Sequence, residues 1–189
     1  MSSFDGQQEG ERVLYTITPH AIHKYLAIAR LIFLALFFFI VLWVIGGIVP
    51  VMTTILRTAG FVLSLLLLAI GYWWNLTVFR KSRTYITDRR IIRFDVVSPF
   101  FVTKRALFWN EALKAKAYAS NIFFRAFKIG TIDVEPLMAE HEDVRVPDVY
   151  YFEDLANYID KILFTFKNKP GDIAAIKPFV PKAKGQRDL

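Results

Sequence analysis

Two stretches of the chain carry no charge at all. Leu31–Val49 (LIFLALFFFIVLWVIGGIV) is nineteen residues, and Gly60–Phe79 (GFVLSLLLLAIGYWWNLTVF) is twenty more. A helix rises about 1.5 Å per residue, so either stretch crosses a hydrocarbon core about 30 Å thick. Neither has the polar face that a helix on a soluble core needs. The pattern therefore predicts two adjacent transmembrane helices, spans 31–49 and 60–79, joined by the short turn Pro50–Ala59.

Before the first span the pattern is mixed. Residues 1–10 are polar, and Glu11–Ile17 alternates with Val13, Tyr15 and Ile17 on one side, as in a short strand. Thr18-Pro19 reads as an N-cap followed by proline at the first helical position, with the helix running into the first span. The segment 1–18 is thus an N-terminal cytoplasmic piece and 19–80 the helical hairpin.

After the second span the period becomes two. Lys81–Thr87, Arg90–Val97, Lys104–Trp109, Leu113–Ser120, Thr131–Glu135 and Val144–Pro147 read as strands, with a tight Asp88-Arg89 turn between the first two. In the second strand Ile92, Phe94 and Val96 share one face; in the fourth, Leu113, Ala115, Ala117 and Ala119 point inward. Asn121–Gly130 is a break with bulky apolar residues. The period then turns helical, with Phe152, Leu155, Ile159, Ile162, Leu163 and Phe166 in one stripe, Asp148 as a candidate cap and Lys167 suited to the C-terminal dipole. The fold class is an α+β membrane protein: a two-helix transmembrane hairpin followed by a pleckstrin-homology (PH)-like antiparallel barrel or sheet over 81–168, capped by a C-terminal helix. Residues 169–189, basic and proline-containing, read as a disordered tail.

Composition supports this segregation. The chain is 54% hydrophobic yet 22% charged, and only separation of the two kinds of residue reconciles these values. Without cysteine, disulfides, thiolate metal sites and a cysteine nucleophile are excluded. Lys24 and Arg30 precede the first span, while Arg80, Lys81, Arg83, Arg89 and Arg90 follow the second; the turn between holds only Arg57. The bias predicts both termini in the cytoplasm at the plasma (inner) membrane. Trp43, Tyr72, Trp73 and Trp74 lie near span ends as interfacial anchors, together with Lys24 and Arg30, whose stems reach the phosphates.

Catalytic sets are scarce. His20 and His23 stand three apart with no third ligand nearby, and His141 sits in an acidic turn, Glu140–Asp143, where adjacent side chains diverge. No phosphate loop or nucleophile elbow occurs. No enzyme activity, cofactor or metal is expected. The net charge of +7 collects at the span ends, so the expected partners are the bilayer, anionic lipid headgroups at Arg80, Lys81, Arg83, Arg89 and Arg90, and other membrane proteins or a second copy, rather than nucleic acid. Within the second span, Ser64 and Asn75 are polar; Ser64 can bond to the neighbouring helix and Asn75 is expected to face water. Gly46-Gly47 and Gly71 permit close helix approach.

Three segments resemble the bacterial PH-like (YdbS-type) membrane protein family: GERVLYTITPH (Gly10–His20), TYITDRRIIRFD (Thr84–Asp95) and FRAFKIGTIDVE (Phe124–Glu135). The resemblance covers residues 10–167 and none of its motifs is catalytic. It implies two transmembrane helices plus a PH-like domain at the cytoplasmic face. The function expected is non-catalytic recognition of a protein, a peptide or anionic lipid. The alternative is a structural or assembly subunit that acts through its hairpin.

Overall fold

The computed structural model describes residues 4–138 and 142–181. In chain order the elements are β1 (Val13–Ile17), α1 (Ala21–Ile48), α2 (Thr53–Lys81), β2 (Arg83–Thr87), β3 (Arg90–Ser98), β4 (Phe101–Phe108), β5 (Ala112–Tyr118), α3 (Ile122–Ala126), β6 (Ile129–Pro136), β7 (Val144–Tyr150) and α4 (Phe152–Asn168), with single 3-10 turns at Pro50–Met52 and Pro170–Ala175. The architecture is α+β: two long apolar helices, two antiparallel sheets and a C-terminal helix. The chain divides into two units. One is Ala21–Lys81 with Ser98–Phe101; the other takes the remaining described residues.

Both long helices are apolar and long enough to cross a membrane. They exceed the apolar stretches that announce them. The predicted ten-residue turn shrinks to Val49–Met52, because Thr53 already starts α2 and its hydroxyl bonds the carbonyls of Val49 and Pro50 at 3.2 and 3.1 Å. The first helix begins at Ala21 rather than Pro19; the His20 amide instead donates to the Asp148 carbonyl at 3.0 Å.

Small residues form the seam between α1 and α2. A Cβ built on Gly60 would stand 2.9 Å from Leu42 Cβ, and one on Gly46 would stand 3.3 Å from Leu56. At Gly71, Leu31 fills the space a side chain would need. The Ser64 hydroxyl donates to the Ala35 carbonyl across the seam at 3.1 Å, as its position within the span suggested. Gly47 behaves differently and borders the Arg57 guanidinium. Asn75 also departs from expectation: its amide donates to the Gly71 carbonyl of its own helix at 2.8 Å.

The second unit holds two sheets, β1-β2-β3-β4 and β5-β6-β7. Its core joins Ile86, Ile91 and Leu107 from the first sheet, with Trp109 just after β4, to Ile132, Val134, Val144 and Val146 from the second. The stripe Phe152, Leu155, Ile159, Ile162 and Leu163 of α4 joins the same core and packs against β5 and β6. Strand β1 is part of this sheet, pairing Ile17 with Thr84, so residues before the hairpin belong to the same domain as residues after it.

Two strand faces differ from the alternation read in the sequence, and a third strand keeps its alternation but buries residues on both faces. In β1 a register shift between Val13 and Tyr15 buries Leu14 beside Ile17 and leaves Val13 and Tyr15 only partly buried. In β5 a shift between Ala112 and Lys114 buries Ala112 and leaves Leu113 exposed. An inserted residue resets the period of two in both cases. In β3, Ile91 and Ile92 are both fully buried. Ile91 enters the main core, while Ile92 pairs with Tyr85 on the opposite face, where Phe4 stacks on Tyr85 at 4.7 Å.

Two further expectations are corrected. Asp148 does not cap α4; Tyr151 precedes the helix with φ 53° and makes no side-chain cap, and Asp148 itself has φ 56°. The segment after Asn168 is not a free tail as far as Pro181. The 3-10 turn is followed by Ile176 and Phe179, both buried, and Phe179 meets Tyr15 and Tyr158 at 5.0 and 5.3 Å. Arg12 donates to the carbonyls of Ala174, Ile173 and Ile176. The last basic residues, Lys182, Lys184 and Arg187, lie outside the described residues, as does His141.

Candidate functional site

At the end of the hairpin where α1 begins and α2 ends, the predicted anchors gather at one level. Leu31 packs where Gly71 lacks a side chain, so the charge boundary at Arg30 in α1 matches Tyr72, Trp73 and Trp74 in α2. All four of these residues are exposed. Lys24 lies over the rings of Tyr25 and Phe79 at 4.9 and 5.5 Å, so its charge is held by aromatic faces. Trp43 lies towards the opposite end, beneath the Arg57 guanidinium at 4.6 Å. Arg57, which the structure places in the second turn of α2, is thereby drawn onto a ring of its own hairpin.

The same unit includes the tip of the β3–β4 hairpin, Ser98-Pro99-Phe100-Phe101, which falls between two of the strands read from the sequence. The Phe100 ring stands 6.2 Å from Trp73 and 6.5 Å from Trp74. The Ser98 hydroxyl accepts from the amides of Phe100 and Phe101 at 3.3 and 3.2 Å, and the Lys81 ammonium donates to the Pro99 carbonyl at 2.7 Å. Phe100 and Phe101 are 73% and 72% exposed. The signal in the sequence was an aromatic pair next to a Ser-Pro turn, with no polar partner in either neighbouring strand position.

The five basic residues proposed for headgroups do not behave alike. Arg80, Lys81, Arg83 and Arg89 are exposed. Arg89 donates to the Gln8 side chain at 3.2 Å. Arg90 is buried and committed: its Nε and Nη2 donate to the two Glu11 oxygens at 2.9 Å each, and Nη2 also reaches the Gly6 carbonyl at 2.8 Å. Its guanidinium is therefore occupied by the N-terminal segment rather than open to a lipid phosphate.

Glu11 receives two more hydrogen bonds, from the Thr87 hydroxyl at 2.9 Å and the Gln8 amide at 2.8 Å. Burial alone would raise its carboxyl. The hydrogen bonds from Arg90, Gln8 and Thr87, together with the Arg90 charge, outweigh that effect and hold it below the ordinary carboxylate value. Thr87 also accepts from the amides of Arg89 and Arg90, which explains how the Asp88-Arg89 turn closes without glycine.

On the second sheet, Asp133 stands between Lys116 and Arg145 in the strand register. Its carboxyl is pushed up by burial, then by the charge and hydrogen bond of Asp143. Lys116 pairs with Glu135 instead. Among the described residues, no three His, Cys, Asp or Glu side chains gather so as to hold a metal ion.

A hollow opens at the start of α4. Two adjoining cavities of about 370 and 440 Å³ share Arg125, Phe152 and Glu153, and reach Tyr118, Ile122, Lys128 and Tyr151. Asn121 caps α3 by accepting from the Phe124 amide at 2.8 Å, so α3 stands where the sequence suggested only a break. Lys128 and Tyr151, both with positive φ, are joined by an amide-to-carbonyl bond of 2.9 Å, and the Lys128 ammonium lies 5.0 Å from the Tyr151 ring centre. Strained backbone at non-glycine residues beside a hollow is a feature of ligand-facing surfaces. Ile122 and Phe123 are exposed at its border.

Comparison with family models, with curated proteins and with solved structures returns no match.

Proposed function

We propose that this chain is a membrane-anchored recognition module of the PH-like type, working without catalysis at the cytoplasmic face of the plasma membrane. The observation that carries the reading is that the chain leaves one sheet at Ile17 and re-enters it, in the neighbouring strand, at Arg83. Everything between is a hairpin of two membrane-length apolar helices. A single sheet cannot be divided by a bilayer, so both helix ends emerge on one side. The excess of Lys and Arg at those ends, against Arg57 alone in the turn, favours the cytoplasm. Among the described residues, seven strands in sheets of four and three, followed by one long helix, support the PH-like reading.

Recognition is assigned to two surfaces. Arg80, Lys81 and Arg83 suit anionic headgroups by charge, each basic group near an anionic leaflet adding about 1 kcal/mol. The hollow beside α3, with Arg125 and Lys128 next to Tyr151 and apolar residues at its border, suits a protein or peptide.

Side chains introduced into this cysteine-free chain test both halves. A cysteine in place of Thr54 should react with an impermeant maleimide in intact cells, and one in place of Asn157 only after permeabilisation. Labelling of position 157 from outside would reverse the orientation. A photo-crosslinking residue at Phe123 should capture a discrete protein in native membranes, and Arg125→Glu should abolish that adduct. Unchanged capture by the Glu variant would remove the hollow from the proposal.

A further inference from the structure

We infer that the tip of the β3–β4 hairpin, Ser98-Pro99-Phe100-Phe101, is a third membrane anchor, immersed in the headgroup–acyl boundary of the leaflet next to the domain. The inference rests on the membrane reading of α1 and α2, and adds to it a lipid contact made by a strand hairpin.

Depth is the first argument. Trp73 and Trp74 precede the end of α2 at Lys81 by eight and seven residues, which is about 11–12 Å of helix. They lie level with Arg30, where the charge-free part of α1 begins. Tryptophan at that level marks the interfacial zone. Phe100 packs against both indoles, so the hairpin tip reaches down to this zone rather than stopping at the helix end.

Surface chemistry is the second. Val97, Phe100 and Phe101 are each more than 70% exposed, and Val102 is 46% exposed. Large aromatic and aliphatic groups at a hairpin tip gain little in water and much at the acyl boundary.

Backbone accounting is the third. A loop entering a low-dielectric region must satisfy its own polar groups. Proline at 99 has no N–H, the amides of Phe100 and Phe101 are both met by Ser98, and the Pro99 carbonyl is met by Lys81. The Lys81 ammonium sits where it can also meet lipid phosphate, with its stem along apolar surface. Continuity with the aromatic belt of α2 selects lipid as the occupant, in preference to a second copy of the chain.

The test uses the full chain in lipid nanodiscs, with one environment-sensitive nitrobenzoxadiazole label at a single introduced cysteine. Labels replace Phe100, Phe101, Ile40 or Asn157 in separate variants, and lipids carry a nitroxide either near the headgroup or deep in the acyl chain. Positions 100 and 101 should lose fluorescence to the shallow nitroxide, position 40 to the deep one, and position 157 to neither. If position 40 is quenched while 100 and 101 are not, the third anchor is overturned and the hairpin reading stands. A blue-shifted but unquenched label at 100 and 101 overturns it too, since protein then covers the tip. If position 40 is not quenched, the membrane reading fails and the inference with it.

Discussion

Glu11 and Arg90 show how a residue's role depends on its partner. The pair is buried, with side-chain exposures of 0% and 9%, and is hydrogen-bonded at both carboxylate oxygens. Removing one member leaves an uncompensated buried charge, which typically costs about 3–5 kcal/mol. Glu11→Gln should therefore lower the urea midpoint of the domain markedly, whereas Arg89→Gln, at an exposed position, should change it little. Because the Glu11 carboxyl is held below its ordinary value of 4.5, its contribution is present above that pH and is lost as pH falls through the folded-state value. Acid titration of the wild type should show this loss, and the Gln variant should lack it. Asp133 has the opposite sign. Its raised carboxyl favours the folded state only below the ordinary range and opposes it once both states are ionised. Asp133→Asn is expected to leave stability unchanged or increased at neutral pH, measured by the same denaturation.

Tyr158 provides a third titration. Burial pushes its phenol up to about 12, with the Arg12 charge acting weakly against that, and its hydroxyl donates to the Lys177 carbonyl at 2.7 Å. The unfolded chain ionises near 10, so stability should fall as pH rises from about 10 to about 12. Tyr158→Phe should remove that alkaline slope, at the cost of the bond to Lys177.

Among elements, a tight constraint lies where β6 starts. A Cβ on Gly130 would stand 2.5 Å from the Phe152 ring and 2.7 Å from the Tyr118 carbonyl. The ring belongs to the first residue of α4 and the carbonyl to the end of β5. Both sides are fixed, so Gly130→Ala should destabilise by about 1–3 kcal/mol through overpacking, visible as a lower thermal midpoint. The segment after α4 carries a comparable prediction. Phe179 fills the space between Tyr15 and Tyr158, so Phe179→Ala should cost about 3 kcal/mol. A tail without a fixed place would show no change. The strands teach a related lesson: alternation located β1, β3 and β5, but bulges in β1 and β5 and a second apolar face in β3 decided which residues are inside.

Along the chain, a hairpin of two long apolar helices is inserted between two paired strands of one sheet. That topology makes residues 4–20 structural. They supply β1, the Glu11 partner of Arg90, Phe4 against Tyr85, and Arg12 for the carbonyls after α4. It also means that the N-terminal segment is not a separable piece, as its position before the first span had suggested.

Charge-free length by itself picked out the two apolar helices of membrane-crossing length, because a charge carried through hydrocarbon is costly in any fold. The counts of Lys and Arg determined the expected sidedness, and helical periodicity determined the buried stripe of α4. The tertiary structure alone decided that β1 joins β2 across sixty-odd residues of hairpin, that Arg90 turns inward to Glu11, and that Phe100 descends to Trp73 and Trp74. These are contacts between residues far apart in the chain. Local pattern records how each residue meets solvent or core, but carries no information about which distant residue stands opposite.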